Sequence, residues 1–378
     1  MSGHEEERLA RAALSRLSEP GEPRLSSLVA QLGPVVLRDR LLEGRGSDGL
    51  QDDVATRLAA CDPVAELERA DHLGLRFVIP GDEEWPTQLD DLAAVEPLHR
   101  RGGVPVGLWV RGPLRLHELR HPVAVVGSRS ATTYGTAVAA EIAAIAGREG
   151  YAVVSGAAYG IDHAAHRGAV SAEGPSVAVL ACGADRVYPV AHRAMLEFLA
   201  AEGAVVSEAP PGCAPTRIRF LSRNRLIAAL AEGTVVVEAA VRSGALNTAT
   251  WTSRLNRHLM GVPGPVTSAS SQGVHELVRS GAATLVTSGA DVLDVLGAVG
   301  EHLVQVPRAR ERARDRLTRR QQQVLDAVPL AQGAPVDSVA RTAGIALLEV
   351  QTALAGLERG GYVERDEDGW RLAALAHD

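Results

Sequence analysis

The chain has 378 residues, of which 46% are apolar, and a formal net charge of −7. This is long enough for two or three domains with a substantial core, and the acidic total excludes a surface that is basic all over, so an anion site has to be a local basic patch. All 39 basic residues are Arg, aromatics make up only 3%, and Cys61, Cys182 and Cys213 form no C-x-x-C, which argues against a zinc ribbon or a disulfide framework.

Residues 1–72 read as short amphipathic helices, LARAALSRLS and LSSLVAQLG, interrupted by EPGEP; they predict a small helical domain. MSGHEEERLA has no apolar signal region, and no apolar run approaches the ~18 residues of a membrane span. The expectation is a cytoplasmic protein without membrane association. Residues 73–119, from FVIPGDEEWPTQL to VGLWVRG, read as a turn-rich connecting extension. Its Trp85-Pro86 and Leu108-Trp109-Val110 are expected to pack against the next domain.

Between 120 and 297, apolar runs alternate with helical patterns. The runs are VAVVG (123–127), YAVVS (151–155), SVAVLA (176–181), AVVS (204–207), TVVVE (234–238), HLMGVP (258–263) and ATLV (283–286). They are nearly continuous rather than alternating, as in strands buried on both faces of a parallel sheet. This predicts an α/β, Rossmann-like open parallel sheet. Residues 298–316 read as an Arg-rich linker, in a stretch with seven Arg between 308 and 320. From 317 to 378, RQQQVLDAV, VDSVARTAG and LLEVQTALAGLERGG predict three helices. YVERDEDGWRLA predicts two strands around an Asp-Gly turn, completing a winged helix. No internal repeat is visible.

In an open parallel sheet, ligands bind outside the carboxyl ends of the strands. The first run ends in Gly127-Ser128-Arg129, and Thr132, Thr133, Tyr134 and Gly135 open a helix. Backbone N–H groups there could hold a phosphate, with Arg129 clamping it. Arg129 stands where the second glycine of a dinucleotide G-x-G-x-x-G would be, which blocks close approach of a pyrophosphate and suits the more open phosphates of a strand. The second run ends in Ser155-Gly156, followed by Gly160, Asp162, His163 and His166. The two histidines lie at i, i+3 rather than the i, i+4 of a zinc-binding H-E-x-x-H, so the polar residues are read as fixing the helix, with no metal.

After the fourth run, Arg217, Arg219, Arg223 and Arg225 surround Phe220, and no acidic residue occurs between Glu208 and Glu232. Arginines can follow a phosphate backbone while a ring stacks on a base; the bland alternative is a core phenylalanine with solvated arginines. Ser243-Gly244 and Thr248 open a third helix that could cradle a phosphate. The expected DNA-binding set is Gly127, Ser128, Arg129, Ser155, Gly156, Arg217, Phe220, Arg223, Asn224, Arg225, Ser243, Gly244 and Thr248.

The motifs occur in a fixed order: GSR with YG at 134–135, SG-x-A-x-GID-x-x-AH, YP at 188–189, SE-x-PPG, F-x-x-RNR-x-IA, EA-x-x-x-SG-x-x-x-TA and VPG. The series resembles the DNA-processing protein A (DprA/Smf) family over residues 74–290. The resemblance implies a protein without catalysis or cofactor that binds and protects single-stranded DNA during transformation. It further implies loading of RecA for recombination and dimerisation through the Rossmann-like domain. Arg129 and, by their place before the RNR motif, Arg217 and Phe220 match the family's DNA contacts.

There are departures. EPGEP stands where a helix-hairpin-helix turn is usual, Leu221 replaces a common proline, and Cys182-Gly183-Ala184 replaces a pair of glycines. The winged helix has an acidic wing, ERDEDG, which argues against phosphate contact by the wing. The rival readings are a nucleotide phosphoribohydrolase of the LOG type, whose PGG-x-GT-x-x-E is absent here, a nucleotide-ligand sensor, and a duplex-binding transcription factor.

Overall fold

A computed structural model of the chain describes residues 2–43, 56, 58–298, 300–302 and 313–377. Two compact units result, residues 1–304 and 305–378. Among the described residues no helix is long and apolar enough to cross a membrane.

The seven apolar runs form the strands β3 Val123–Val126, β4 Val153–Ser155, β5 Ser176–Val179, β6 Ala204–Ser207, β7 Gly233–Val236, β8 His258–Gly261 and β9 Thr284–Leu285. All their mutual pairings are parallel. Every residue of β3 to β7 is buried, which is why the sequence shows no alternation. Along β3, Val123 and Val125 pack with the helices Thr133–Arg148 and Ile161–Ser171. Ala124 and Val126 face the opposite layer, built from Arg217–Leu230 and Ala245–Arg254. The strand order is β1-β2-β6-β5-β4-β3-β7-β8-β9. The chain thus winds outward from β3 in one direction and resumes at β7 in the other, and the reversal between these two strands leaves a crevice at their carboxyl ends.

The sheet begins earlier than position 120. The connecting extension supplies β1 Leu75–Val78 and β2 Leu108–Arg111, which pair antiparallel with each other and with β6. Both strands are short and mostly buried, so neither shows the period-2 pattern by which a strand is read. The helices Gly3–Leu17, Pro23–Leu32, Pro34–Leu42 and Pro63–His72 belong to the same compact unit as the sheet. Ala12 and Ala70 pack into one cluster with Phe77 and Trp109. Arg8 donates to Asp82 at 2.6 and 2.9 Å, and Arg11 donates to the carbonyl of Val106 at 3.0 Å. The described helices of the expected separate domain 1–72 are therefore a layer on the sheet edge.

The second unit consists of the helices Arg319–Leu325, Val336–Ala343 and Leu347–Arg359, with a hairpin of β10 Val363–Asp366 and β11 Gly369–Leu372. Val324, Val339, Val350, Leu354, Leu357 and Trp370 are in its core. Most of the Arg-rich linker, positions 303–312, lies outside the described residues.

His166 is fully buried on the helix Ile161–Ser171, its Nδ1 2.8 Å from Ser176 Oγ. Burial pushes its imidazole down to about 3, against about 6.5 in an unfolded chain. Between these values the unfolded state binds the extra proton, so stability is complete above about pH 6.5 and falls as pH drops toward 3. Urea unfolding should show a loss of about 2 kcal/mol from this group between pH 7 and pH 5. His166→Asn should remove that part of the slope.

Candidate nucleic-acid interface

A groove of about 1000 Å³ opens at the carboxyl ends of β3 and β7. Four arginines line it, Arg129, Arg217, Arg223 and Arg242, against one carboxylate, Asp162. Arg129, Arg217 and Arg242 are exposed, and among the described residues none of them has an ion-pair partner. A positive cleft on an acidic chain concentrates field where an anion would lie.

The basic island is one helix, Arg217–Leu230, started by Thr216, whose side chain accepts from Arg219 N at 3.3 Å. The helix divides its four arginines. Arg217 faces the groove. Arg219 donates twice to Glu19, at 2.8 Å each. Arg223 is buried among the lining residues, its Nη1 donating to the carbonyl of Val179 at 3.0 Å. Arg225 is wholly buried, with two 2.7 Å bonds to Glu208 and a 3.1 Å bond from Nε to the carbonyl of Gly103. Glu208 also accepts from Gly21 N at 3.1 Å. Arg219 and Arg225 are thus neutralised by acids outside the acid-free stretch, and Arg225, expected in the interface, does not line the groove. The EPGEP turn supplies two of these contacts, Glu19 and Gly21, so it braces the helix.

Phe220 is half-buried and belongs to none of the apolar clusters among the described residues. The Arg129 guanidinium lies over its ring, 4.4 Å from the centroid, and the Tyr188 ring is 5.9 Å away. A cation and an aromatic face therefore meet inside the groove, although one comes from a loop and the other from a helix 91 residues further on.

Alternate amides of the loop after β3 are taken up within the protein. Ser128 N donates to the carbonyl of Glu238 at 2.7 Å, and Ser130 N to Ser128 Oγ at 3.1 Å. Thr132 donates to the Glu238 carboxylate through N at 2.9 Å and Oγ1 at 2.6 Å, while its Oγ1 accepts from Gly135 N. A Cβ at Gly135 would overlap that carboxylate. The amides of Ser128, Ser130 and Thr132 are thus engaged internally, and the loop also contributes the exposed Arg129 side chain. At the second helix start, Ala158 N donates to Asp162 at 3.4 Å, and Ser155 is buried with its hydroxyl donating to Val125 at 2.7 Å. Ser155 is thus a sheet residue, outside the groove lining. Gly156 lies against Arg223, whose Nη1 a Cβ there would overlap. Ser243, Gly244 and Thr248 do line the groove, and Asn224 Nδ2 donates to the carbonyl of Gly244 at 3.3 Å and to Asn247 at 3.2 Å.

Two buried groups under the groove are shifted. Burial pulls the Arg223 guanidinium down to about 10, opposed by Asp162. Burial pushes the Asp162 carboxyl above the usual carboxylate range, opposed chiefly by Arg223. His163 and His192 stack at 4.3 Å, and among the described residues no group of three or more His, Cys, Asp or Glu is placed to hold a metal ion. The sequence reading missed Arg242, Tyr188 and Asn247 in the lining and Glu238 behind the loop. Arg242, between EA and SG in the motif after the fifth run, carried the one signal that an arginine count along the strand ends would have found.

These features define a Rossmann-like protein whose switch-point groove is lined by arginine side chains. Residues 76–297 match the family described as DNA recombination-mediator protein A. A DprA-type DNA processing protein of Mycobacterium tuberculosis is 43% identical over 96% of this chain and 93% of its own. The DNA processing protein A of Streptococcus pneumoniae superposes with a TM-score of 0.64 at 30% identity, covering 78% of this chain and 98% of that one. The corresponding Helicobacter pylori protein, described for its single-stranded DNA binding mode, gives 0.51 at 24% identity over 58% of this chain and 95% of its own. The chain belongs to the DNA recombination-mediator protein A family of DNA-processing proteins.

Breaking a buried ion pair on one side leaves the other charge uncompensated, at about 3–5 kcal/mol. Arg225→Ala should cost that much in urea unfolding. Its strand affinity should fall too, because the pair sets the pose of the helix that carries Arg217 and Phe220, whereas the salt slope should stay that of the parent; a slope lowered by about 1 would return Arg225 to the interface as a phosphate contact.

Proposed function

We propose that the groove binds single-stranded DNA without sequence preference. The observation that carries this is the Arg129 guanidinium seated on the Phe220 ring in a groove with three further arginines. Exposed guanidinium groups suit the phosphates of a strand, and an aromatic edge beside them suits unpaired bases; a duplex stacks its bases away from such a ring. The finer residue assignment is Arg129, Arg217 and Arg242 to phosphates, Phe220 to a base, and Gly127, Ser128, Asn224, Ser243, Gly244 and Thr248 to the walls. Arg223 underlies the track as a buried positive charge held over Gly156.

We assign no catalytic step to this groove. Its one carboxylate, Asp162, is buried and accepts from the backbone. A labelled strand incubated with the protein and Mg²⁺ should stay intact. By family membership we further propose that the bound strand is handed to RecA in recombination, and that two copies associate through the Rossmann-like unit. The winged-helix reading of the second unit also stands as a proposal; its three helices and hairpin support it.

Fluorescence anisotropy at several salt concentrations tests the central reading. Single strands should bind more tightly than duplex at matched salt; equal or tighter duplex binding would reject it. Arg129→Ala and Arg217→Ala should each weaken binding and lower the salt slope by about 0.7–1, as for a lost phosphate contact. Phe220→Ala should cost about 1–3 kcal/mol of affinity with little change in slope. Because Arg129 rests on Phe220, the double variant should lose less than the sum of the singles. A Phe220→Ala protein that melts lower yet binds normally once folded would make the ring a packing residue only.

A further inference from the structure

We propose that the interface continues past the arginine groove onto a shelf formed by Tyr188 and Tyr159, which takes further bases of the same strand. This rests on the single-strand reading above and extends it to two tyrosines outside the expected DNA-binding set.

The chain carries five tyrosines, three phenylalanines and four tryptophans. The exposed ones are Tyr134, Tyr159, Tyr188 and Phe198. Tyr134 has a structural role, since its hydroxyl donates to the carbonyl of Pro263 at 2.7 Å. Tyr159 and Tyr188, 49% and 42% exposed, have no hydroxyl partner among the described residues. Both line one shallow crevice together with Arg129, Phe220 and Cys182. Arg129, Tyr188 and Phe220 line the main groove as well, so the crevice is its continuation.

The geometry favours stacking beyond Phe220. Arg129 covers one face of that ring, so Phe220 cannot be sandwiched between two bases, and the next base needs another platform. Tyr188 offers it at 5.9 Å, tilted by 55°. Tyr159 is held for the same task. It meets His192 edge-on at 4.8 Å, His192 stacks on His163 at 4.3 Å, and His192 Nδ1 lies 3.0 Å from the carbonyl of Ala157. A ring fixed before the ligand arrives loses little rotamer freedom on binding, and every base has a face to offer it. Phosphates would then follow Arg129 and Arg217, while bases follow Phe220, Tyr188 and Tyr159.

The test uses full-length protein, Tyr188→Ala and Tyr159→Ala singly and together, and oligothymidylates of about 4 and about 16 nucleotides. Each single change should weaken the longer strand about tenfold, which is about 1.4 kcal/mol. The shorter strand should be weakened by Tyr188→Ala and should bind Tyr159→Ala as it binds the parent, and the salt slope should not move. A longer strand abasic along its length should not distinguish the variants. Tyr188→Trp should bind at least as tightly as the parent, with its indole emission quenched by oligothymidylate and not by the abasic strand. This variant reads out stacking even if an alanine variant folds poorly. A double alanine variant that binds the longer strand like the parent overturns the shelf. If Arg129→Ala still abolishes binding of the shorter strand in that case, the groove reading stands and only its extension fails. A parent protein that binds neither strand removes both.

Discussion

The pose of one helix decides what this surface is, and the Arg225–Glu208 ion pair holds that helix. Arg225 is completely buried and Glu208 nearly so. A buried pair stabilises only where its remaining donors and acceptors are satisfied. Here Arg225 also donates to the carbonyls of Gly103 and Ser222, at 3.1 and 3.0 Å, and Glu208 accepts from Gly21 N. Four segments therefore converge on one pair: the end of β6, the helix Arg217–Leu230, the loop after Pro97 and the turn between the first two helices. Gly21 has φ +70, and a side chain there would press on the Arg225 guanidinium. The N-terminal layer consequently bears on the groove although it does not line it. Once the pair is fixed, the rotation of the helix puts Arg217, Phe220 and Arg223 on one side and turns Arg219 toward Glu19.

The same economy of acids shapes the rest of the site. Glu238 takes the amide and hydroxyl of Thr132, and Asp162 takes the amide of Ala158. In a nucleotide-binding relative of this fold such amides face a pyrophosphate. Here carboxylates of the protein satisfy them. Much of the attraction for an anion then comes from arginine side chains spread along the groove. That arrangement suits a polymer, whose phosphates repeat and need not all be held at one geometry, and it disfavours a compact diphosphate.

The fold was legible where physics makes sequence local. Strands β3 to β7 are read from uninterrupted apolar runs, because burial on both faces removes the need for polar alternation. Strands β1 and β2 were not legible. LRFV and LWVR contain an arginine each and are flanked by turn residues, and they become sheet only by pairing with each other and, through β2, with β6. In the site, Arg129, Arg217 and Phe220 could be picked out from motif and charge. The division of the arginine island could not, since four arginines on nine residues look alike until Glu19 and Glu208 select two of them. The internal use of the loop amides was hidden for the same reason. Glu238 sits 106 positions from the Thr132 it binds, and no local pattern announces that contact.

The most direct measurement is a crystal structure of the protein with a bound oligothymidylate. The account places phosphates against Arg129, Arg217 and Arg242, a base at the free edge of Phe220, and the Arg225–Glu208 pair unchanged from the unbound protein. A strand lying elsewhere on the molecule, or in the groove with its bases turned away from Phe220 and its phosphates on the backbone amides after β3, would contradict it.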